Sequence, residues 1–433
     1  MKILVANYRY FVSGGPERYM FNVTDALCSR GHEVIPFSVR YRQNEPTPYS
    51  RYFVPPLGSE DEVYFNDQRM SPRTAVKTLS RLFYSPEVKR AVRRLCEEAR
   101  PDVAYVLHYL RKLSPSLLVA LKEEGIPIAV RLSDYQMLCP QAHFLRDEKP
   151  CQLCSGNGLL PSIRHRCVKN SLPASTLNAM ATWFHEAKGY FDLIDRFVVT
   201  NRFMLKAMLE AGYPEERLAL IPTFVKQIGR EIGDTVNKIN SVVFVGRIEH
   251  LKGVHVLVEA AGLILQQHSE VGWSFLIAGD GDVGYMGQLQ NRVAELGLAE
   301  RMKFVGRLDG NKVSELLQSA SLQVVPSIWF ENLPNSLLEG FVAGTPAIVS
   351  DIGSLSETVI SGENGYRFPV GNAQALANTL VRCWHEREVL AVMSALARSA
   401  AASEYGEDRH TDRLQHLFST LLGSASTFGA TRG

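Results

Sequence analysis

The 433-residue sequence predicts an α/β protein of two doubly wound parallel-sheet domains. Three observations predict it. Apolar runs of strand length alternate with helical patterns of about 10 to 15 residues almost throughout, the pattern of βαβ units. The chain is too long for one ordinary core. The alternation breaks once, at the polar stretch VKQIGREIGDTVNKINS, and then restarts. In open sheets of this kind ligands lie beyond the carboxyl ends of the strands, so a cleft between two such domains is the expected site.

The elements follow in order. KILVAN is a strand. About four apolar residues precede Asn7, too few for a signal-peptide core, so a cytoplasmic protein is expected. In SGGPERYMFNVTDALCSRG, Met20, Val23 and Leu27 keep helical spacing and Gly31 is a C-cap. HEVIPFSV is a strand, followed by a polar stretch to Ser71 and a basic helix near 74–100. DVAYVLH and IPIAVRL are buried-type strands around the helix SPSLLVALKEEG. After a cysteine-bearing insertion at 139–167 come the helix ASTLNAMATWFHEAKGYF, the strand DRFVVT, the helix RFMLKAMLEAG and the strand LALIP. These make an N-terminal domain of residues 1–225. Residues 226–240 are the linker and 241–404 the second domain, with strands SVVFVG, WSFLIAG, MKFVG, LQVVP and PAIVS. Residues 405–422 form a last helix expected to pack back toward the first domain, and 423–433 a disordered tail.

Composition bounds the function. Hydrophobic residues make up 45% and charged residues 21%, as in soluble globular proteins. A formal net charge of +2 argues against nucleic acid as the main partner. No run of 18 apolar residues appears.

Three stretches could carry chemistry. Gly14 and Gly15 join the first strand to the first helix, where paired glycines let backbone N–H groups approach an anion; the bland alternative is a tight turn. Arg247 and Lys252, in FVGRIEHLKG, follow the first strand of the second domain just ahead of a helix. One forked donor and one point charge suit a diphosphate, and the alternative is a solvated basic loop. In SIWFENLPNSLLEGFVAG, Pro334 fits a first helical turn. That puts Glu331 in a loop at a strand's carboxyl end and Glu339 inside the helix, where a carboxylate can take the hydroxyl pair of a ribose. The N–H groups of Asn332, Leu333 and Asn335 are available there. The alternatives are an exposed loop acid at Glu331 and a buried ion pair at Glu339. GDGD, residues 279–282, reads as a glycine-rich turn rather than a metal site.

FVGRIEHLKG, the later PSIWFENLPNSLLEGFVAGTPAIVSD and the N-terminal GGPERYMFNVTDALCSRGHEV together resemble the family 4 glycosyltransferases, retaining nucleotide-sugar-dependent enzymes of the GT-B fold. The resemblance spans most of the chain. It implies transfer of a glycosyl group from a nucleotide-diphosphate sugar to a glycan or lipid-linked saccharide acceptor, in cell-surface polysaccharide or lipopolysaccharide synthesis, without a required metal. It implies that Arg247 and Lys252 hold the donor diphosphate. Glu331 opens the family's E-x7-E motif against the donor sugar, and Glu339 closes it on the ribose. Gly15 brings N–H groups to the phosphates, and the loop FVGRL, residues 304–308 with Val305 and Leu308, lines the base pocket with backbone groups. Two other readings stay open: a nucleotide-sugar epimerase of the same architecture, and a catalytically impaired glycan-binding or partner protein.

The sequence departs from the pattern in RLSDYQMLCP, where many members carry a histidine and this chain has Ser133. A serine cannot carry a proton as histidine does. His108, ending the preceding strand, could substitute, and Asp134 is a further acceptor-side candidate. Cys139, Cys151, Cys154 and Cys167 have the spacing C-x11-C-x2-C-x12-C, compatible with a tetrahedral structural zinc or with buried thiols. The basic segment 73–100, with Leu79, Leu82 and Phe83, is of a kind that can rest on anionic lipid; the alternative is a solvated helix face. The first would put the protein at the inner face of the plasma membrane.

Overall fold

The computed structural model describes residues 1–61, 71–226 and 238–429. Residues 227–237 of the expected linker and the last four tail residues lie outside them. The strands, in chain order, are β1 (Lys2–Asn7), β2 (Glu33–Phe37), β3 (Val103–His108), β4 (Ile128–Arg131), β5 (Leu145–Arg146), β6 (Lys149–Pro150), β7 (Arg196–Val199) and β8 (Leu218–Leu220). They continue as β9 (Ile239–Val245), β10 (Ser274–Ala278), β11 (Met302–Gly306), β12 (Ala320–Val325), β13 (Ala347–Ser350) and β14 (Gly365–Phe368). The chain forms two compact units. The first comprises Met1–His143, Gln152–Pro222 and Glu407–Gly433; the second comprises Phe144–Cys151 and Thr223–Gly406.

The first unit holds a sheet of order β2-β1-β3-β4-β7-β8, every pair parallel. Its strands are apolar runs because helices cover both faces; β3 and β4 bury almost every residue. The chain order reverses between β1 and β3. Arg9 follows β1 and His108 ends β3, so both lie at this switch point, and Gly14 comes later in the loop after β1. The helix Glu407–Gly429 belongs to this unit and runs beyond residue 422. It is tied by His410, whose Nδ1 donates to the Pro222 carbonyl at 2.7 Å and whose Nε2 accepts from the Tyr19 hydroxyl at 3.0 Å. Tyr19 in turn meets the Tyr105 hydroxyl at 2.7 Å. The basic helix expected near 74–100 is two helices, Pro72–Phe83 and Pro86–Ala99. Pro86 lacks the N–H a continuous helix would need, and the Ser85 hydroxyl caps the second helix by accepting from Val88 N.

The second unit repeats the plan in the order β11-β10-β9-β12-β13-β14, again all parallel. Its core runs from Val242 and Phe244 through Leu257 and Phe275 to Leu376 and Leu380. The switch point lies between β9 and β12. The antiparallel hairpin of β5 and β6 is grouped with this unit, with the Phe144 ring 6.1 Å from Phe330 and Glu148 3.5 Å from His250.

Candidate active site

Two loops meet at the switch point of the second sheet. The one after β9 carries Arg247 and Lys252; the one after β12 carries Glu331. Lys252 Nζ lies 2.7 Å from Glu331 Oε1. The same oxygen accepts from Ser327 Oγ at 2.6 Å and Trp329 Nε1 at 3.1 Å. The Glu331 carbonyl accepts from Ser354 Oγ at 2.8 Å. Glu331 is only 4% exposed, so a carboxylate there requires such partners. The Lys252 ammonium also stands 5.5 Å from the Trp329 ring centroid, within cation–π range. Arg247 is arranged differently: its side chain is 63% exposed and pairs with Glu249 at 2.6 Å. An exposed pair of this kind holds by about 1 kcal/mol or less and exchanges readily for another anion.

The backbone is shaped for close approach. Gly253, at the start of the helix Val254–Gln267, has φ +69°, and a Cβ there would lie 1.9 Å from the Pro326 carbonyl oxygen. Glycine is what lets the β9 loop lie against the β12 loop and bring Lys252 to Glu331. Gly279 is similar: a Cβ would sit 1.8 Å from the Gly246 oxygen. Leu333 is a buried non-glycine residue held at φ +140°, a strained backbone of the kind that collects at functional sites. Glu339 lies half-buried in the helix Asn335–Val342. Val305 is exposed and Leu308 partly buried around Gly306, whose carbonyl accepts from Gly279 N at 2.8 Å. In the GDGD turn, Asp282 caps the helix Val283–Glu295 through Tyr285 N at 2.8 Å, a structural role.

The first unit holds its own pocket at the carboxyl ends of β3 and β4, with His108, Tyr109, Arg131, Ser133, Asp134 and Met137 among its lining. His108 Nε2 lies 3.5 Å from Asp134 Oδ2. Burial alone would raise the Asp134 carboxyl; the hydrogen bond from His108, helped by Gln136 N–H and the Arg111 charge, outweighs it and holds the group below its ordinary value. His108 Nδ1 is buried and has no hydrogen-bond partner among the described residues. Ser133 Oγ accepts from Arg131 at 2.9 Å. Gly14 is extended (φ −171°), and a Cβ there would meet only ordinary contacts. Its backbone therefore does not itself demand glycine.

These two sites, each at the switch point of a parallel sheet, can be set beside known proteins. The model of the glycosyl transferase 4-like domain matches residues 14–223, and that of glycosyl transferases group 1 matches residues 226–400. The chain belongs to the GT-B glycosyltransferases. A curated relative of the transferase is the phosphatidyl-myo-inositol mannosyltransferase of Mycobacterium leprae, 24% identical over 98% of this chain and 97% of the relative. Among solved structures, sucrose-phosphate synthase from Thermosynechococcus elongatus aligns with a TM-score of 0.71 at 17% identity, over 98% of this chain and all of that one. The Anabaena protein HepE in complex with UDP and glucose aligns at 0.64 and 18%, over 97% and 99%.

In the transferase, then, Lys252 and Glu331 meet directly, and His108 meets Asp134 beside Ser133. Arg247 turns outward from the Lys252–Glu331 pair. Among the described residues no group of three or more His, Cys, Asp or Glu is placed to hold a metal ion. Each of the four insertion cysteines is fixed in a different turn. Cys139 N donates to Tyr135 O, Cys151 N to Phe144 O in the hairpin, and Cys167 N to Ser162 O, while Cys154 opens a short helix. Sequence reasoning passed over Ser327, Trp329 and Ser354 around Glu331. For Ser327 and Trp329, proximity to Glu331 in the chain was the available signal; Ser354 is brought there by the fold. It also passed over Arg9, Ser13 and Glu17, which form a partly buried relay: Arg9 to Ser13 at 2.9 Å and Ser13 to Glu17 at 2.9 Å.

Proposed function

We propose that the enzyme transfers a hexosyl or related glycosyl group, with retention at the anomeric carbon, from a nucleotide-diphosphate sugar to a saccharide or lipid-linked acceptor in cell-surface glycan synthesis. The observation that carries this reading is the Lys252–Glu331 pair at the β9/β12 switch point. Lys252, Arg247 and the N-terminus of the helix Val254–Gln267 take the diphosphate and its growing charge as the glycosidic bond breaks. Preplaced positive charge of this kind stabilises the leaving group without a metal. Glu331 lies against the donor sugar and Glu339 takes the ribose hydroxyls. The N–H groups of Asn332, Leu333 and Asn335 and the glycine loop at Gly14 and Gly15 complete the donor contacts. Support for a nucleotide-sugar donor comes from HepE, a neighbour in fold with UDP and glucose bound, and for a lipid acceptor from the mannosyltransferase relative. On the acceptor side, the proximity of His108 to Asp134 supports a role for His108 in place of the histidine that Ser133 replaces.

We also infer a peripheral contact with anionic lipid at the inner face of the plasma membrane. No helix among the described residues is long and apolar enough to cross a membrane. The helix Pro72–Phe83 exposes Val76 and Leu79 on a segment that also carries Arg73 and Lys77. Through Phe83 and Phe184, 5.5 Å apart, it adjoins the helix Leu172–Ala187, which exposes Met180 and Trp183. Such faces suit a lipid surface.

The test of the donor site is a thermal-shift screen with nucleoside diphosphates. A nucleotide at 100 times its dissociation constant adds about 2.7 kcal/mol. Glu331→Gln is expected to lower turnover more than nucleotide affinity, and Glu339→Gln the reverse. No shift with any nucleotide defeats the assignment.

A further inference from the structure

The first unit contains a positive charge that the donor chemistry does not use. Lys112 lies in the turn after β3, and its ammonium is buried with no hydrogen-bond partner among the described residues. Its neighbours are cations. Arg81, 1% exposed, donates from Nη1 to the Lys112 carbonyl at 2.7 Å and so fixes the turn. The charges of Arg9 and Arg81 both act on Lys112 and, after burial itself, push its ammonium down to about 8. The arginines have carboxylates of their own: Arg81 pairs with Glu87 at 2.8 Å and Arg9 with Glu17 at 3.5 Å. Lys112 itself has no carboxylate partner among the described residues. A buried ammonium beside like charges is strongly unfavourable unless an anion joins it. Tyr41, buried and in the field of both arginines, adds a hydroxyl to the cluster.

The location gives this charge a use. β1 and β3 are neighbours at the switch point of the first sheet, with Asn7 registered against His108. Arg9 follows the one strand and Lys112 the other, four residues beyond His108.

We propose that Lys112, flanked by Arg9 and Arg81, is the anchor of a subsite for a phosphate group on the acceptor, beside the His108–Asp134 pair. This rests on the glycosyltransferase reading and deepens it by naming the acceptor's chemical class: a phosphate-bearing molecule, whether a phospholipid headgroup or a soluble sugar or polyol phosphate. A phosphate dianion gives the buried ammonium the anionic partner it lacks among the described residues, in the positive field of the two arginines.

The experiment uses the full chain saturated with a nucleoside diphosphate, so that the donor site is filled. Inorganic phosphate is then added against chloride at equal ionic strength while the melting temperature is followed. The wild type is expected to gain a further phosphate-dependent rise. Lys112→Met is expected to lose it and Lys112→Arg, which keeps the charge, to retain at least half. In a parallel arm, vesicles of phosphatidylglycerol are compared with phosphatidylcholine. A Lys112-dependent response to phosphatidylglycerol without one to inorganic phosphate assigns the site to a lipid headgroup; a response to inorganic phosphate assigns it to phosphate itself. No Lys112-dependent response in either arm overturns the proposal, as does an equal response in Lys112→Met. The first nucleotide-induced shift is read separately. Its absence would sink the donor reading without touching the phosphate result.

Discussion

Replacing Glu331 by glutamine removes a charge and almost no volume, which makes it a clean probe of the switch-point pair. In the wild type one carboxylate oxygen takes Lys252 at 2.7 Å, Ser327 at 2.6 Å and Trp329 at 3.1 Å. Breaking a buried pair by removing one partner costs about 3–5 kcal/mol when the other charge stays buried. The Lys252 side chain is 18% exposed and can turn toward water, so about 2–3 kcal/mol is expected. Unfolding entropy is about 2.1 cal/mol/K per residue, and the second unit has roughly 190 residues, so its melting temperature should fall by roughly 5–8 °C. Nucleotide should restore much of this. In the wild type a diphosphate must draw Lys252 away from Glu331; in the variant the ammonium has no such competitor. The nucleotide-induced rise in melting temperature should therefore be at least as large in Glu331→Gln as in the wild type, while sugar transfer drops. Calorimetric melting with and without UDP, with single-turnover transfer on the same preparations, measures all three quantities. A variant as stable as the wild type would show that the pair is not a buried ionic contact. A variant that loses the nucleotide response but keeps turnover would refute the division of roles.

Other outcomes follow from the same geometry. Gly253→Ala places a left-handed alanine against the Pro326 carbonyl. The backbone conformation costs about 1–2 kcal/mol and the overlap a further 1–3 kcal/mol, so both stability and nucleotide affinity should fall; unchanged melting would show that the two loops part easily. His410 is 3% exposed, and burial pushes its imidazole down to about 3 from 6.5. The folded state favours the neutral ring, so its contribution is complete above pH 6.5 and is lost as pH falls toward 3. The full change is up to about 5 kcal/mol. Urea titrations across this range should show the loss, and His410→Gln, which takes up no proton, should flatten it. Asp134→Asn removes the carboxylate that orients His108; turnover with acceptor should drop about 10²-fold with nucleotide affinity unchanged, and equal loss of both would point to damage beyond the pocket.

The alternation of KILVAN-type strands with amphipathic helices is local, and it determined both sheets as parallel and doubly wound. Motif spacing was equally legible. Glu331 and Glu339 had to fall on either side of a helix start because Pro334 sets that boundary, and Asp282 could be read as part of a turn. Where local patterning was ambiguous, the basic segment read as one helix became two, since Pro86 lacks an N–H and tolerates only a first turn. The tertiary structure decided what strand order decides. Lys252 and Glu331 are 79 residues apart and meet because β9 pairs with β12, a choice made by crossover packing and invisible to any window of sequence. The same holds for His108 and Asp134, which meet because β3 pairs with β4. The CxxC spacing is compatible with a metal site, but spacing along a chain constrains distance only when the backbone between is short, so it does not by itself bring Cys139 and Cys167 to Cys151 and Cys154. The buried ammonium of Lys112, without a hydrogen-bond partner among the described residues, is likewise a property of the fold. It depends on which cations and carboxylates packing brings to the ends of β1 and β3, and net composition, at +2 over the whole chain, averages that away.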